Sequence, residues 1–461
     1  MKYDITFIGG GPGGYVAAIK ASLEGLKVAL VEKKKVGGTC LHAGCIPTKT
    51  LLSGTDIIRT LKIAKDFGIN VSDFSFDYSK MKLRKDAVVE TLWKGVTGLL
   101  KAHKVDVYHG HGSFVSPTQI KVLGTDTTLI ETKNVVIATG SVAASIPICG
   151  VDGKIIHDST TILQMTALPK KLIILGAGYI GCEFASLFSE LNVNVSMVEF
   201  LPGIVWTQGK SISKMLTDAF LKKKIELLCN VKAQECKTTE SSVELSLSNG
   251  SKVHGDMLLV SVGRKPYTKD LNLNAAGIAT DEHGFITVDN KMRTSVPGVF
   301  AIGDVTGLSM LAHTASHQGI IAAEVVAGKN VTMQYDSIPA VIFTHPEIAT
   351  VGLSLAQAKE KGFQADSAIF PLTALGKARA ANDTEGQVEI ISERTTGRIL
   401  GAFMVGHDAG NLIAEMTLAI SNELTLECIS ETIHAHPTLS EAWMEAAQIA
   451  QGHPIHLPPR R

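Results

Sequence analysis

The chain has 461 residues, and its 44 lysines and arginines are matched by 44 aspartates and glutamates, so it has no surplus of positive charge with which to neutralise the phosphates of a nucleic acid. Its longest apolar runs, such as NVVIATG and KLIILGAG, fall far short of the roughly 20 residues that a membrane-spanning helix needs, and no membrane insertion is expected. At about one domain per 150 residues, the length predicts about three domains.

The first predicted unit is YDITFIGGGPGGYVAAIKASLEGLKVALVEK: an apolar strand, the turn Gly9-x-Gly11-x-x-Gly14, a helix of small residues, and a second strand closing on Glu32. The strand starts within the opening residues and leaves no room for an export segment, so a cytoplasmic location is expected. A glycine turn that feeds a helix N-terminus offers a pyrophosphate free backbone N–H groups and the positive end of the helix dipole. An acidic residue at the end of the second strand accepts from ribose hydroxyls and repels a 2′-phosphate.

Next comes GGTCLHAGCIPTK, Gly37 to Lys49, with Cys40 and Cys45 five positions apart at the head of a helical region predicted over Ile46 to His103. On a regular helix such positions have Cα atoms about 8 to 9 Å apart, whereas a disulfide wants about 4.4 to 6.8 Å. A bond between them therefore needs irregular backbone, which Gly37, Gly38 and Gly44 permit, with Pro47 suited to the first turn of the helix that follows. Seven cysteines in a chain without an export signal argue against a disulfide scaffold. The pair reads as a redox couple, a zinc half-site or two buried apolar residues. Zinc needs further ligands and only His42 is near, so no metal is expected.

The strands QIKVL and TLIETKNVVIATG form a hairpin followed by a strand that ends in Gly140, and then the first unit repeats. KLIILGAGYIGCEFASLFSELNVNVSMVEF carries Gly176, Gly178 and Gly181, and Glu199 stands at the same offset from Gly176 as Glu32 from Gly9. SVELSLSNGSKVHGDMLLVSVG repeats the hairpin, with Asn249 and Gly250 at its turn. Two dinucleotide sites in one chain point to two carriers that exchange a hydride. After Glu199 come Phe200, Leu201 and Pro202 rather than arginines, which favours NAD at the second site and leaves FAD for the first. In VFAIGDV, Asp304 either accepts from ribityl hydroxyls or merely closes a strand. Lys49 either lends its charge to a reduced flavin or is solvated. From about Pro339 the pattern changes to mixed strands and helices with no third glycine turn. The fold class is α/β, with two Rossmann-like dinucleotide-binding domains of common design and a C-terminal α+β interface domain.

Together, GGTCLHAGCIPTK, the paired glycine turns, AIGDV and HAHPTLSEAWMEAA resemble, in family order along nearly the whole chain, the class I pyridine nucleotide disulfide oxidoreductases. The resemblance implies a first FAD-binding part over residues 1–148, an NAD-binding domain over 149–267, a central domain completing the FAD site over 268–338, and a dimerisation domain over 339–461. It implies a homodimer in which Cys40 exchanges with substrate, Cys45 lies beside the flavin, and His436 from the other subunit is the acid/base, oriented by Glu441. Implied flavin contacts are Gly9, Gly11, Gly14, Glu32, Thr39, Lys49, Gly112, Thr139, Gly140, Asp304 and Ala312. Implied NAD contacts are Gly176, Gly178, Gly181, Glu183, Glu199, Val231 and Gly263. The activity implied is oxidation of protein-bound dihydrolipoamide to lipoamide with reduction of NAD⁺, in partnership with the lipoyl domains and acyltransferase of a 2-oxo acid dehydrogenase complex.

Physical chemistry supports the last pair independently. An imidazole takes a proton from a dithiol near neutral pH, and a carboxylate on its other nitrogen fixes the tautomer. The plainer readings are that TLSE from Thr438 is a capping box and His436 a loop histidine before Pro437. His42 and Thr48 depart from the family's usual asparagine and serine, GSVAASIP and VWTQGKS differ from its pattern, and His42 is expected to act on the Cys40 thiol. Two rivals are a glutathione-type or mercuric reductase of the same family, disfavoured by Glu199 and by the absence of vicinal cysteines in GHPIHLPPRR, and a flavin-binding interaction subunit.

Overall fold

The computed structural model describes residues 2–458, so the last three residues of GHPIHLPPRR lie outside the described residues. Packing divides the chain into two units: residues up to Pro169 with Leu259–Gln334, and Lys170–Leu258 with the residues from Tyr335 on.

At the centre of the first unit, the strand Lys2–Ile8 pairs in parallel with Val28–Glu32 on one side and Thr127–Ile137 on the other. Asp106–His109 and Val299–Ala301 extend the two edges, also in parallel. Such a sheet is covered on both faces, which is why Ile5, Phe7, Leu30 and Val136 form near-continuous apolar runs and are wholly buried. The expected hairpin is present: Gln119–Leu123 runs antiparallel to Thr127–Ile137, and His111–Ser116 adds a third strand. The helical region after the cysteines is two helices rather than one, Cys45–Ile63 and Tyr78–Ala102. A 3₁₀ turn ends at Gly68 with φ +75°, residues 69–77 are irregular, and the Asp77 side chain then caps the second helix by accepting the Lys80 N–H.

The second unit repeats the design with Lys171–Leu175, Asn194–Val198 and Glu226–Leu228 in parallel. Its insert is the antiparallel set Ala233–Thr238, Val243–Leu247 and Lys252–Gly255, turned at Gly250 with φ +82°. The unit also holds a five-stranded antiparallel sheet in the order Ala340–Ile342, Glu347–Gly352, Ile399–Gly406, Gln387–Glu393, Ala365–Pro371. The helices Ala409–Ser421 and Glu441–Ala450 bury Ile413, Met416 and Trp443 in one core with Phe370, Val388 and Met404 of that sheet. The buried Trp443 indole donates to Leu412 O at 3.2 Å, so its polar atom is satisfied. Among the described residues no helix is long and apolar enough to cross a membrane.

Candidate active site

The two glycine turns are near copies. Gly9 has φ +107° and Gly11 caps the helix Pro12–Leu23 at φ −69°, ψ −175°; Gly176 has φ +97° and Gly178 caps Tyr179–Glu190 at φ −72°, ψ −175°. Neither cap contributes a side-chain oxygen, so the first N–H groups of each helix are left for a ligand's phosphate. In the first turn a Cβ on Gly14 would lie 1.9 Å from Gly9 O, and one on Gly9 would lie 2.4 Å from Ala138 O. Those two glycines let the turn pack against backbone, while Gly11, where a Cβ would meet only Gly38 Cα at 3.9 Å, keeps open the face that fits a pyrophosphate. Gly181 is buried in the second helix.

Each glutamate closes its own turn. Glu32 accepts the Gly10 N–H at 2.8 Å through Oε2 and the Lys34 N–H at 2.7 Å through Oε1. Glu199 accepts the Ala177 N–H at 2.5 Å through Oε2 and the Leu201 N–H at 2.8 Å through Oε1. A carboxylate has about four lone-pair sites, so each retains capacity for ribose hydroxyls. Beside Glu32 lies a recess of about 70 Å³ that collects Gly9, Gly112 and Thr139, three more of the expected flavin contacts. Thr139 Oγ1 donates to Tyr267 O at 2.6 Å, and the Tyr267 N–H donates to Gly140 O at 2.9 Å. The same recess is lined by Lys33, whose Nζ stands 3.9 Å from the Tyr267 ring centroid. Sequence reading missed both: Lys33 had only its place after Glu32 as a signal, and Tyr267 had none.

Asp304 is more than the end of a strand. Ser141 Oγ donates to its Oδ2, Arg264 Nε donates to Ser141 Oγ at 2.6 Å, and that guanidinium nitrogen is 3.8 Å from Asp304 itself. Ala312 begins the helix Ala312–Val326, again without a side-chain cap.

The cysteines stand on two successive helices. Gly37, at φ +109°, starts the short helix Gly38–Ala43 that carries Thr39 and Cys40; Gly44 breaks the chain at φ −152°, ψ −114°, and Cys45 is the first residue of Cys45–Ile63. This is the glycine-permitted irregularity expected from the spacing. A hydrogen bond with Cys45, then burial, pushes the Cys40 thiol up, while the charge of Lys49 pulls the other way. Cys45 also raises Cys40 by its charge, and its place at a helix start sets that charge against the positive end of the dipole. Tyr15 is raised by burial and then by the charge of Cys40. The groups that move Cys40 are thus Cys45 and Lys49, whereas His42 turns its Nε2 to donate to Val36 O at 2.9 Å. The expected influence of His42 on the thiol finds no support in that arrangement.

In the second unit, His436 Nδ1 lies 2.8 Å from Glu441 Oε1, and Glu441 Oε2 accepts the Thr438 N–H at 2.7 Å. The capping box expected of TLSE forms only by half. Thr438 Oγ1 donates to Ala435 O, and the helix begins at Glu441 itself. Burial pushes the Glu441 carboxyl up, but the Thr438 N–H and His436 outweigh it and hold it below the usual carboxylate range. The His436 side chain is 77% exposed, so it is presented outward. Val231 donates its N–H to Glu199 O at 3.1 Å. Glu183 is placed differently from the other expected NAD contacts: it is buried, and its Oε1 accepts the Phe343 N–H at 3.0 Å. Gly263 lies in the first unit, its carbonyl accepting the Ala144 N–H. Among the described residues, no cluster of three or more His, Cys, Asp or Glu could hold a metal.

Residues 3–319 match the family model described as pyridine nucleotide-disulphide oxidoreductase, and residues 338–447 match that family's dimerisation domain. The chain is 45% identical over 460 residues to the dihydrolipoyl dehydrogenase of Chlamydia pneumoniae, covering 100% of this chain and 99% of that protein. It is 40% identical over 461 residues to the dihydrolipoyl dehydrogenase of Geobacillus stearothermophilus, covering 99% and 98%. The crystal structure of LpdA from Mycobacterium tuberculosis superposes with a TM-score of 0.92 at 28% identity, over 97% of this chain and 99% of that one.

Proposed function

This chain belongs to the pyridine nucleotide-disulphide oxidoreductase family, and from that premise we propose that it oxidises protein-bound dihydrolipoamide to lipoamide and reduces NAD⁺ to NADH, the dihydrolipoyl dehydrogenase activity of a 2-oxo acid dehydrogenase complex. The observation that carries the reading is the Cys40–Cys45 contact, with the second thiol at a helix start and the charge of Lys49 acting on Cys40. The chain is an oxidoreductase that uses FAD and NAD(H). The first glycine turn, Glu32 and the recess beside it would hold FAD, and the second turn with Glu199 would hold NAD. When bound, FAD supplies the two-electron relay between the enzyme dithiol and NAD⁺.

The residues divide the work with substrate as follows. Glu441 occupies His436 Nδ1, so that nitrogen keeps its hydrogen and Nε2 is left to take a proton from one substrate thiol. The resulting thiolate attacks Cys40 Sγ of the Cys40–Cys45 disulfide; that S–S bond breaks, and Cys45 leaves as a thiolate at the positive end of its helix. The second substrate thiol loses its proton to solvent as its sulfur displaces Cys40, which takes up the proton from His436, and lipoamide departs with its own S–S bond formed. Two electrons now reside on the cysteine pair. With FAD bound, they pass together with the Cys40 proton to NAD⁺ as the equivalent of one hydride, and the disulfide is restored.

The dimerisation domain supports a homodimer, in which the partner subunit's His436 would serve Cys40. The domains of this reading are an FAD-binding part over 1–148, an NAD-binding domain over 149–267, a central domain over 268–338 and an interface domain over 339–461. Lipoyl domains and the acyltransferase are the proposed partners, in the cytoplasm. The test is NADH formation by the purified, FAD-loaded protein with dihydrolipoamide and NAD⁺, with NADPH and oxidised glutathione as the rival pair. Turnover of the rival pair alone would overturn the reading.

A further inference from the structure

Two residues before His436, a second histidine is almost fully enclosed: the His434 side chain is 5% exposed. Its Nδ1 lies 2.8 Å from Thr432 O and its Nε2 lies 2.8 Å from Glu415 Oε1. A carbonyl oxygen only accepts, so Nδ1 carries a hydrogen, and Nε2 and Glu415 hold one proton between them in a charge-assisted bond. Glu415 projects from Ala409–Ser421, the helix whose Ile413 and Met416 are fixed in the core of the second unit. Thr432 in turn donates its hydroxyl to Cys428 O at 2.6 Å.

The loop that presents His436 is therefore tied at its start to the helix Leu426–Glu431, at its middle to Ala409–Ser421, and at its end to Glu441–Ala450 through Glu441. Ile433, between the first two ties, is 96% exposed in the single subunit, so within one chain apolar burial of that side chain does not hold the loop. The polar ties carry that load, and the one at His434 is the most enclosed.

We propose that His434 is a positioning residue for His436: its ring, bonded on both nitrogens, pins the loop to Glu415 so that His436 is presented in a single orientation. The inference rests on the acid/base reading of His436. The charge of His434 also helps hold Glu441 ionised, after the Thr438 N–H and His436 itself.

The experiment uses the full-length, FAD-loaded protein and the variants His434→Gln, Glu415→Gln and the double variant. Two rates are measured: NAD⁺ reduction by dihydrolipoamide, and NADH oxidation by ferricyanide, which does not call on the His436 proton transfer. Loss of positioning lowers kcat with dihydrolipoamide by roughly 10- to 100-fold in each single variant, with no further loss in the double variant because both changes break one bond. The ferricyanide rate and the thermal midpoint stay at the parent values. Retention of the dihydrolipoamide rate in either single variant would overturn the proposal, as would a parallel fall of both rates, which would mean that His434 supports the fold at large. His436→Gln separates the two readings. If that variant alone loses dihydrolipoamide turnover, the acid/base reading stands and the positioning role is wrong; if it retains full turnover, the acid/base reading itself is wrong.

Discussion

Glu441 grips His436 Nδ1 with one carboxylate oxygen at 2.8 Å and the Thr438 N–H with the other at 2.7 Å. One side chain therefore both fixes an imidazole tautomer and secures the start of the helix behind it. Replacing Glu441 by Gln keeps an acceptor but removes the charge. Turnover with dihydrolipoamide is expected to fall by roughly 10- to 100-fold, part of the 10²–10⁴ that a positioned acid/base supplies. Stopped-flow NADH formation checks this, and an unchanged rate would leave Glu441 with only its helix-closing role.

The depressed carboxyl of Glu441 also has a sign in pH. A folded-state value below the unfolded one, about 4.3 for glutamate, contributes stability that is present above the unfolded value and lost as pH falls through the folded one. The Glu441 side-chain carboxyl signal in an NMR titration should therefore move only below the usual carboxylate range. A signal that moves within or above that range would contradict the arrangement.

For the cysteines, Cys45→Ala removes the largest cause that raises the Cys40 thiol and leaves Lys49 in place. Cys40 is raised, so in the reduced parent it stays protonated above the usual thiol range. In the variant its alkylation by iodoacetamide at pH 8 should accelerate, as mass spectrometry can follow, while dihydrolipoamide turnover falls below about a thousandth. Slower alkylation would mean that burial, not Cys45, governs the thiol.

The glycine turns give a structural contrast. Gly14→Ala would set a Cβ 1.9 Å from Gly9 O, whereas Gly25→Ala meets nothing within 4 Å and suffers only its φ of +83°. The first should be purified with little flavin, read as the ratio of 450 to 280 nm absorbance. The second should keep its flavin and lose about 1 kcal/mol of stability.

The repeated units were legible because a short apolar strand, a glycine turn and a small-residue helix are local signals, and both copies appear where the sequence places them. Cys40, Cys45 and the break at Gly44 were legible for a related reason: a bond between cysteines five apart is incompatible with one regular helix, and glycine states where the break can fall. The interruption at Gly68 did carry a local signal, the glycine followed by Asn70, Ser72, Asp73, Ser75 and Asp77, and was missed because the apolar residues set among them blur that loop pattern. Tyr267 and Arg264 were missed because their partners, Thr139 and Ser141, lie more than a hundred residues away and are joined to them only by tertiary pairing. His434 was not singled out, since nothing in the local sequence announces Glu415 as its partner.

Finally, Glu199 ties coenzyme choice to the integrity of the turn. Its two oxygens are the acceptors for the Ala177 and Leu201 amides, so an arginine introduced to attract a 2′-phosphate would leave both amides without an acceptor, at about 1–3 kcal/mol each where water is shut out. A swap of nucleotide preference at this position is thus also a swap of scaffold. It can succeed only if a replacement oxygen is designed into the glycine turn alongside the new charge.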